Sequence, residues 1–336
     1  MEISTLSRKI LRELCTDSRV NVTELSKRLG VSRFVVARHI QSLEKELGLR
    51  YTMSLNYNAL GFTKMNLYHM TFSKKPNDAT LEAAFSKSKA VQLALRTKGD
   101  FDVVLFVLAG NEEEYAKWHL SLALEFSKYG VSINKSDIDI IHHGFVPLTN
   151  AAIEDASAKD LYKGLLLKLN SNSRMKIKEI AHALKMNEDM VSYYMAKLVK
   201  EGVIRKFTTI ITKPPSCMNI LFFMRYIYRE GHVSRIYEKR KLVYFKKEDE
   251  IPMFNDYQMV LSISGGEEDF AWGSGATMEE AKERVSVHEK IFKKDSPEMR
   301  AGMIVKVLKG YQPIRSVDIK SRYRTTQWAP GENYTG

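Results

Sequence analysis

The stretch that decides the fold runs from Val22 to Leu47 and reads VTELSKRLGVSRFVVARHIQSLEKEL. Leu25 and Leu29 recur at helical spacing and mark the buried face of a first helix. Gly30 can take the positive φ that ends a helix, and Ser32 can cap the next helix by accepting a bond from its first turn. The stretch therefore predicts two helices joined by a tight turn.

The second of these helices has two faces of different chemistry. Val36, Ile40 and Leu43 form its apolar stripe. A buried stripe, a Gly turn and a basic outer face are typical of a helix-turn-helix, whose second helix enters the DNA major groove. An ordinary helical hairpin with a solvated basic face is the alternative. The outer face carries Arg33, Phe34, Arg38 and His39.

The first 55 residues supply the candidate DNA contacts. Arg33 and Arg38 could pair with guanine O6 and N7, whereas basic side chains nearby could bind phosphates, which positions a protein without reading sequence. Phe34 could touch thymine methyls or pack on a neighbouring element. Leu49–Leu55 predicts a β wing that completes the domain. The predicted contacts are Lys27, Arg28, Ser32, Arg33, Phe34, Arg38, His39 and Arg50.

Composition sets the outer bounds. The chain has 336 residues and a net charge of +12 (52 basic minus 40 acidic), which favours a polyanionic partner but is weak support alone. Its two cysteines, Cys15 and Cys217, lie in apolar sequence and predict small buried residues in a reducing compartment. The sequence shows neither a signal peptide nor an apolar run near the ~18 residues that span a bilayer. We therefore expect a cytoplasmic protein.

Residues 56–148 predict a second domain of different type. Alternating and apolar runs indicate strands, and two stretches with helical spacing lie between them. The resulting order βαββαβ is that of a ferredoxin-like domain. The expected elements are strand Thr63–Ser73, helix Pro76–Ser88, strand Val91–Thr97, strand Phe101–Ala109, a helix from Asn111 to about Lys128, and strand Ile133–Phe145.

The chain then repeats itself. Arg174 matches Arg19 at an offset of 155 residues, and Leu198 matches Leu43 at the same offset. A constant register of this length argues for duplication. The expected fold is α+β, with two winged helix-turn-helix domains alternating with two ferredoxin-like domains. The expected bounds are 1–55, 56–148, a linker at 149–159, 160–213, 214–312 and a basic tail at 313–336, with an insertion at 241–252.

The two copies differ on their recognition helices. Glu188 and Asp189 stand where the first copy has Arg33 and Phe34, and Tyr193 stands where it has Arg38. Carboxylates there suit the helix dipole but repel phosphates, so we expect this copy to bind DNA weakly or not at all. The alternative is that lysines of this copy still contact phosphates. These lysines are Lys176, Lys178, Lys197 and Lys200.

Several motifs resemble the Lrp/AsnC family of feast–famine transcription regulators. They are LSRKILREL (6–14), DSRVNVTELSKRLGVS (17–32), LEKELGL (43–49), LNYNALGF (55–62), TKGDFDVVLFV (97–107), LLLKLNSNSRMKIKEIAHALKM (165–186) and LVKEGVI (198–204). The resemblance implies a helix-turn-helix followed by a RAM-type sheet domain that dimerises. A tandem pair departs from the usual single copy.

The resemblance also implies an amino-acid effector near a Gly-x-x-Asp turn. Here that turn holds Gly99, Asp100 and Asp102, and its looser counterpart holds Gly266 and Asp269. Amides at such a turn could receive a carboxylate, and an aspartate could receive an ammonium group. The alternative is that Gly99 only makes a β-turn.

The sequence therefore favours a regulator that binds double-stranded DNA as a homodimer through its sheet domains. It predicts no cofactor and no enzyme activity, because an enzyme would not need the basic face of the recognition helix. It also predicts no metal, because neighbouring His142 and His143 point to opposite faces of a strand. The rival is an enzyme, since sirohaem decarboxylases resemble this family in architecture and hold a polycarboxylated tetrapyrrole. Residues that such an enzyme could enlist are His69, Arg96, His142 and His143.

Overall fold

The computed structural model describes residues 4–138, 140–143, 145–213, 220–227, 261–265, 268–292 and 298–311. The expected insertion at 241–252, the basic tail at 313–336 and Gly266 lie outside the described residues, as do the side chains of His142, His143 and Asp269. The described parts form an α+β fold. In them, no helix has the length and apolar character to cross a membrane.

The first unit is a three-helix domain followed by a strand. Gly30 ends the second helix in the left-handed region at φ 66°, and the Ser32 hydroxyl accepts a bond from the Val35 amide to start the third. The helix-turn-helix predicted from the sequence is therefore confirmed. Its elements are α1 (Thr5–Thr16), α2 (Val22–Leu29), α3 (Arg33–Leu47) and β1 (Leu49–Leu55).

The first sheet domain follows after a short 3-10 turn at Asn58–Leu60. Asn111 caps its long helix by accepting a bond of 2.9 Å from the Glu114 amide, as its position in the sequence indicates. A second 3-10 turn, Ser127–Tyr129, leads out of that helix. The elements are β2 (Lys64–Phe72), α4 (Asp78–Lys87), β3 (Val91–Gly99), β4 (Val103–Ala109), α5 (Glu112–Phe126), β5 (Val131–Asp137) and β6 (Ile140–His143).

The second helix-turn-helix does not follow a plain linker. The stretch expected to be a linker contains a helix whose Ile153 is fully buried, and Ala152 and Ala156 are buried beside it. That expectation was wrong, because small residues also suit close packing. The elements are α6 (Asn150–Asp155), α7 (Asp160–Ser171), α8 (Ile177–Leu184), α9 (Glu188–Lys200) and β7 (Ile204–Ile211).

The second sheet domain is described over four strands and one helix. They are β8 (Ile220–Ile227), β9 (Leu261–Gly265), β10 (Glu268–Gly275), α10 (Met278–Phe292) and β11 (Glu298–Lys309). The described strands of both domains belong to one sheet of nine, in the order β5-β2-β4-β3-β11-β8-β10-β9-β6. Within each half the order is the one that a ferredoxin-like domain shows.

Two strands join the halves. β11 pairs antiparallel with β8 and then with β3 of the first domain, and β6 pairs with β9 of the second. The single strand expected at Ile133–Phe145 is therefore two strands, because β5 pairs with β2 and β6 with the other half. The alternation of apolar and polar residues does not reveal which domain a strand pairs with, because it determines only which face of the strand is buried.

The helix-turn-helix units also meet. β1 pairs antiparallel with β7 from Leu49↔Ile211 to Leu55↔Ile204, forming a two-stranded sheet. The expected separate wings are thus replaced by one shared ribbon, in which each strand supplies the other with the partner that its backbone groups require. One apolar core continues from the helices of both units to the inner faces of the sheets. A second core lies between the first sheet and helices α4 and α5.

Candidate nucleic-acid interface

Helix α3 presents the predicted basic face to solvent. Its stripe is buried, with Val36 at 0% and Leu43 at 2% exposure, so the helix cannot rotate without exposing its core. Arg33, Phe34 and Arg38 consequently point outward. The Phe34 side chain is 76% exposed, which removes the alternative that it packs on a neighbouring element of the described chain.

The basic side chains around this face differ in whether they form ion pairs within the described chain. Arg33 and Arg38 form no ion pair with any residue in the described part of the chain, and the same holds for Lys27. Arg28 instead pairs with Glu13 at 2.8 Å and with Glu24, and both hydrogen bonds raise the pKa of its guanidinium. The charge available for phosphate therefore comes first from Lys27, Arg33 and Arg38.

Besides Arg28, three of the residues predicted to contact DNA have partners within the described chain. The Ser7 hydroxyl and His39 Nδ1 share a hydrogen bond of 2.8 Å, which turns the half-buried His39 towards α1. Ser32 uses its hydroxyl to cap α3. Arg50 lies over the Tyr311 ring at 4.4 Å and donates to its hydroxyl at 2.5 Å, beside a cavity of about 360 Å³. Whether these three also contact DNA stays a prediction.

The corresponding face of α9 has opposite chemistry. Asn187 caps the helix by accepting a bond of 2.7 Å from the Met190 amide. Glu188 and Asp189 lie exposed in its first turn. Tyr193 is 62% exposed, and its ring packs edge-on against Tyr194 at 5.3 Å. The face is acidic and aromatic where α3 is basic.

The Gly99 turn is closed by the other half of the chain. Gly99 has a φ of 142°, and an added Cβ would lie 2.6 Å from the Ala301 carbonyl oxygen. The Asp100 amide donates to that same oxygen at 3.0 Å. The carboxylate of buried Asp102 accepts from the Phe72 amide at 2.9 Å and pairs with Lys75 at 2.7 Å. These contacts account for the turn without a ligand, and the amino-acid site stays a prediction.

A polar side chain, His69, lies between the two sheet domains. His69 on β2 is 1% exposed, and neither ring nitrogen has a hydrogen-bond partner among the described residues. Its ring stacks on Phe270 at 5.3 Å and contacts Phe101 at 4.8 Å. Burial lowers its pKa well below the ordinary value, and the charges of Arg225 and Arg300 lower it further. His69 is therefore neutral at physiological pH.

Sequence reasoning missed most of this interior group. Arg225 on β8 donates from Nε to Glu268 at 3.0 Å, and the Ser136 hydroxyl donates to the same carboxylate at 2.5 Å. The available signal was a charged residue inside the apolar run ILFFMRYI. The structure does not bring Arg96 to His69, because Arg96 donates to the Pro76 carbonyl and lies near Asp78, both beside α4. The described residues contain no cluster able to hold a metal.

Comparisons with known proteins identify the helical units. A family model for winged helix-turn-helix DNA-binding domains matches residues 3–46 and 165–205. The proline dehydrogenase transcriptional activator of Rhodobacter capsulatus is 32% identical over 123 residues, which cover 34% of this chain and 77% of that protein. The leucine-responsive regulatory protein of Rhizobium meliloti is 32% identical over 115 residues, covering 33% and 73%.

The solved structures add a likeness over the whole chain. The sirohaem decarboxylase NirDL superimposes with a TM-score of 0.58 at 13% identity, covering 94% of this chain and 95% of that one. A complex of NirDL with an iron-uroporphyrin III analogue gives the same TM-score. The sequence-based expectation that the protein is not an enzyme is contradicted by this match. The shared fold is one that an enzyme uses.

The sequence relatives and the structural neighbour carry different weight. At this identity the likeness to NirDL establishes the fold alone. The sequence relatives are transcription regulators, and the match spans about three quarters of each of them. This chain belongs to the Lrp/AsnC family, whose members include the leucine-responsive regulatory protein.

Proposed function

We propose that the protein is a sequence-specific DNA-binding transcription regulator whose first helix-turn-helix reads the major groove through α3. One observation carries the proposal: the exposed face of α3 presents Arg33, Phe34 and Arg38 with no ion pair to any described residue. Such a face has no evident partner within the described chain. A duplex supplies the acceptors and methyl groups that these side chains lack.

The N-terminal half of α3 has the chemistry that base readout needs. In helix-turn-helix proteins these residues reach base edges while the preceding helix lies across the backbone. The guanidinium groups of Arg33 and Arg38 can donate in pairs to guanine O6 and N7. Phe34 can contact a thymine methyl, and Lys27 on α2 can bind a phosphate. The net charge of +12 supports attraction to the duplex.

A matched pair of variants tests this assignment. Arg38→Ala removes one bidentate contact and should weaken binding to a duplex selected by the wild-type protein by about 1–3 kcal/mol. Tyr193→Ala removes the residue at the equivalent position of α9 and should leave the affinity unchanged. Mobility shift at fixed salt measures both. Undiminished binding by Arg38→Ala, or an equal loss in Tyr193→Ala, would remove α3 from the reading role.

Assembly and effector belong to the same proposal. Because β3 pairs with β11 and β6 pairs with β9 within the chain, a homodimer cannot use these paired edges. The outer edges of β5 and β6 have no partner among the described strands. Light scattering of the purified chain tests the assembly: two copies of α3 acting together require the mass of a dimer, and a single copy of α3 reading the duplex requires only a monomer. An added amino acid that binds at Gly99 should change that mass or the affinity for DNA.

A second candidate function is an enzyme that acts on a tetrapyrrole. The specific observation in its favour is buried His69, which has two unpartnered nitrogens near the cationic Arg225 and Arg300, within a fold that NirDL shares. Titration with iron-uroporphyrin should then shift the Soret band. His69→Phe should abolish the shift, whereas His182→Phe, on the exposed surface of α8, should not. No Soret change in the wild-type protein would end this candidate.

A further inference from the structure

The two helix-turn-helix units meet around an approximate two-fold axis. The hydroxyls of Ser18 and Ser173 share a hydrogen bond of 2.6 Å, and these residues are 155 positions apart, the offset at which the two units match. Arg19 lies over the Phe207 ring at 5.5 Å, and Arg174 lies over the Tyr51 ring at 5.0 Å. At the offset of 155, Arg19 corresponds to Arg174, and Phe207 corresponds to Thr52, the neighbour of Tyr51. Each arginine therefore contacts the strand of the other unit, one position away from exact equivalence.

The shared ribbon obeys the same symmetry. In it, Thr52 pairs with Thr208 and Met53 pairs with Phe207. At the offset of 155, position 52 corresponds to position 207 and position 53 to position 208. The antiparallel register is thus centred on the point where each strand meets its own counterpart. An antiparallel pairing centred at this point agrees with an axis close to two-fold between the units.

This symmetry gives one chain the arrangement of a helix-turn-helix dimer. Such dimers place two recognition helices on half-sites about one helical turn apart, and their operators are palindromic because both helices have the same side chains. In this chain α3 and α9 occupy the two symmetric places. Because the outward side chains of α3 differ from those of α9, the two helices are not expected to bind identical half-sites, and the target need not be palindromic.

The difference falls on the residues that reach bases. Arg33 corresponds to Glu188 and Arg38 to Tyr193. A carboxylate cannot donate to guanine. In the major groove it can accept only from the amino groups of cytosine and adenine, and nearby phosphates repel it. The two acidic residues at the start of α9 therefore oppose base readout by that helix.

The second unit nevertheless keeps cations for the backbone. Lys176 and Lys178 lie exposed at the start of α8, and exposed Lys185 lies at its end. In this motif the helix before the recognition helix crosses the DNA backbone. Contacts from these lysines would neutralise phosphates without distinguishing sequences.

From this asymmetry we infer that the chain recognises a non-palindromic duplex. One half-site is read by α3 through base contacts, and the adjoining half-site, about one turn away, is held by the second unit through phosphates alone. The inference rests on the proposed function, because it requires α3 to read DNA. The inference specifies that the DNA target is not palindromic, whereas the proposed function does not specify the symmetry of the target.

Selection from a library of random-sequence duplexes tests the inference with the intact chain. We expect one conserved half-site inside a nuclease footprint that extends about one turn beyond it on one side. A substitution in the conserved half should reduce affinity about 5- to 150-fold, and a substitution in the flank should not. A palindrome, or two unlike conserved half-sites, would overturn the inference but leave the proposed function intact. No enrichment of any sequence would overturn both.

Two variants sharpen the result. Replacing the outward residues of α9 by those of α3, as Glu188→Arg, Asp189→Phe, Tyr193→Arg and Tyr194→His, should convert the selected sequence into a palindrome. Lys176→Ala with Lys178→Ala should weaken binding to all sequences and lower the slope of log affinity against log salt by about 2. Lys87→Ala with Lys98→Ala, exposed on the first sheet domain, is the charge-matched control. An unchanged slope in the first lysine pair would show that the second unit does not touch the backbone.

Discussion

The two helix-turn-helix units share a scaffold and differ on their surface. Val36 in α3 and Val191 in α9 are both fully buried, and Leu43 and Leu198 are at most 2% exposed. Both recognition helices begin with a side-chain cap, Ser32 in one and Asn187 in the other. The exposed positions differ: Arg33 corresponds to Glu188, and Arg38 corresponds to Tyr193.

This difference shows that the residues that determine the fold of each unit are not the residues that determine its binding partner. An apolar stripe at helical spacing and a cap at each start are enough to set the helices in place. The outward positions are under no such constraint, and there Arg33 is exchanged for Glu188 without any change of fold. The binding partner of such a unit is therefore inferred from the exposed face of its recognition helix and not from the helix-turn-helix motif alone.

The largest effect should come from breaking the shared scaffold. Leu43→Ala and Leu198→Ala remove equivalent buried side chains, and each should lower the free energy of unfolding by about 2–5 kcal/mol. Gln41→Ala, on the exposed side of α3, should stay within about 0.5 kcal/mol of the wild type. Urea denaturation measures all three.

The outcome of that experiment bears directly on the comparison. Similar losses in the two leucine variants would place both units in one cooperative structure, as their common core implies. A large loss in Leu43→Ala with none in Leu198→Ala would mean that the second unit is not needed for stability, and the equivalence of the scaffolds would fail.

Much of the fold could be predicted because helical periodicity is a local property. The helix expected from Asn111 to about Lys128 contains α5, and the strand expected at Phe101–Ala109 contains β4. Strand partners could not be predicted, because alternation states which face is buried but not which edge is shared. The pairings β1–β7 and β3–β11 join residues at least 149 positions apart and have no local signal.

The candidate interface was predictable to a similar degree. The outward direction of Arg33, Phe34 and Arg38 follows from the buried stripe behind them. The ion pair of Arg28 with Glu13 and the hydrogen bond between His39 and Ser7 could not be predicted. Both join different helices, and they therefore depend on how the helices pack, which the sequence pattern does not give.

A medium effect should follow from breaking the contact on the two-fold axis. Ser18 and Ser173 are fully buried, so Ser18→Ala leaves the hydroxyl of Ser173 without its partner and should cost about 1–3 kcal/mol of stability. Ser173→Ala should cost a similar amount because the contact is symmetric. The double variant should cost less than the sum, since no unpaired hydroxyl remains. Additive losses in this double-mutant cycle would show that the two hydroxyls are not coupled.

The smallest effect concerns a turn at which the scaffolds themselves differ. Gly30 and Lys185 both end the helix before the recognition helix in the left-handed region, at φ 66° and 54°. This conformation costs an L-residue with a side chain roughly 1–2 kcal/mol, and glycine avoids that cost but loses more backbone entropy on folding. Lys185→Gly should therefore stabilise the protein by about 0.5–1 kcal/mol.

The matching change in the first unit should have the opposite sign. An added Cβ at Gly30 meets no atom within 4 Å, so Gly30→Ala introduces backbone strain without a steric clash. It should lower the free energy of unfolding by about 1 kcal/mol, measured as a decrease in melting temperature. If both variants shifted the melting temperature in the same direction, backbone conformation would not be the cause. Opposite shifts would mean that the second unit tolerates strain at its turn, where Lys185 keeps a cation beside α9.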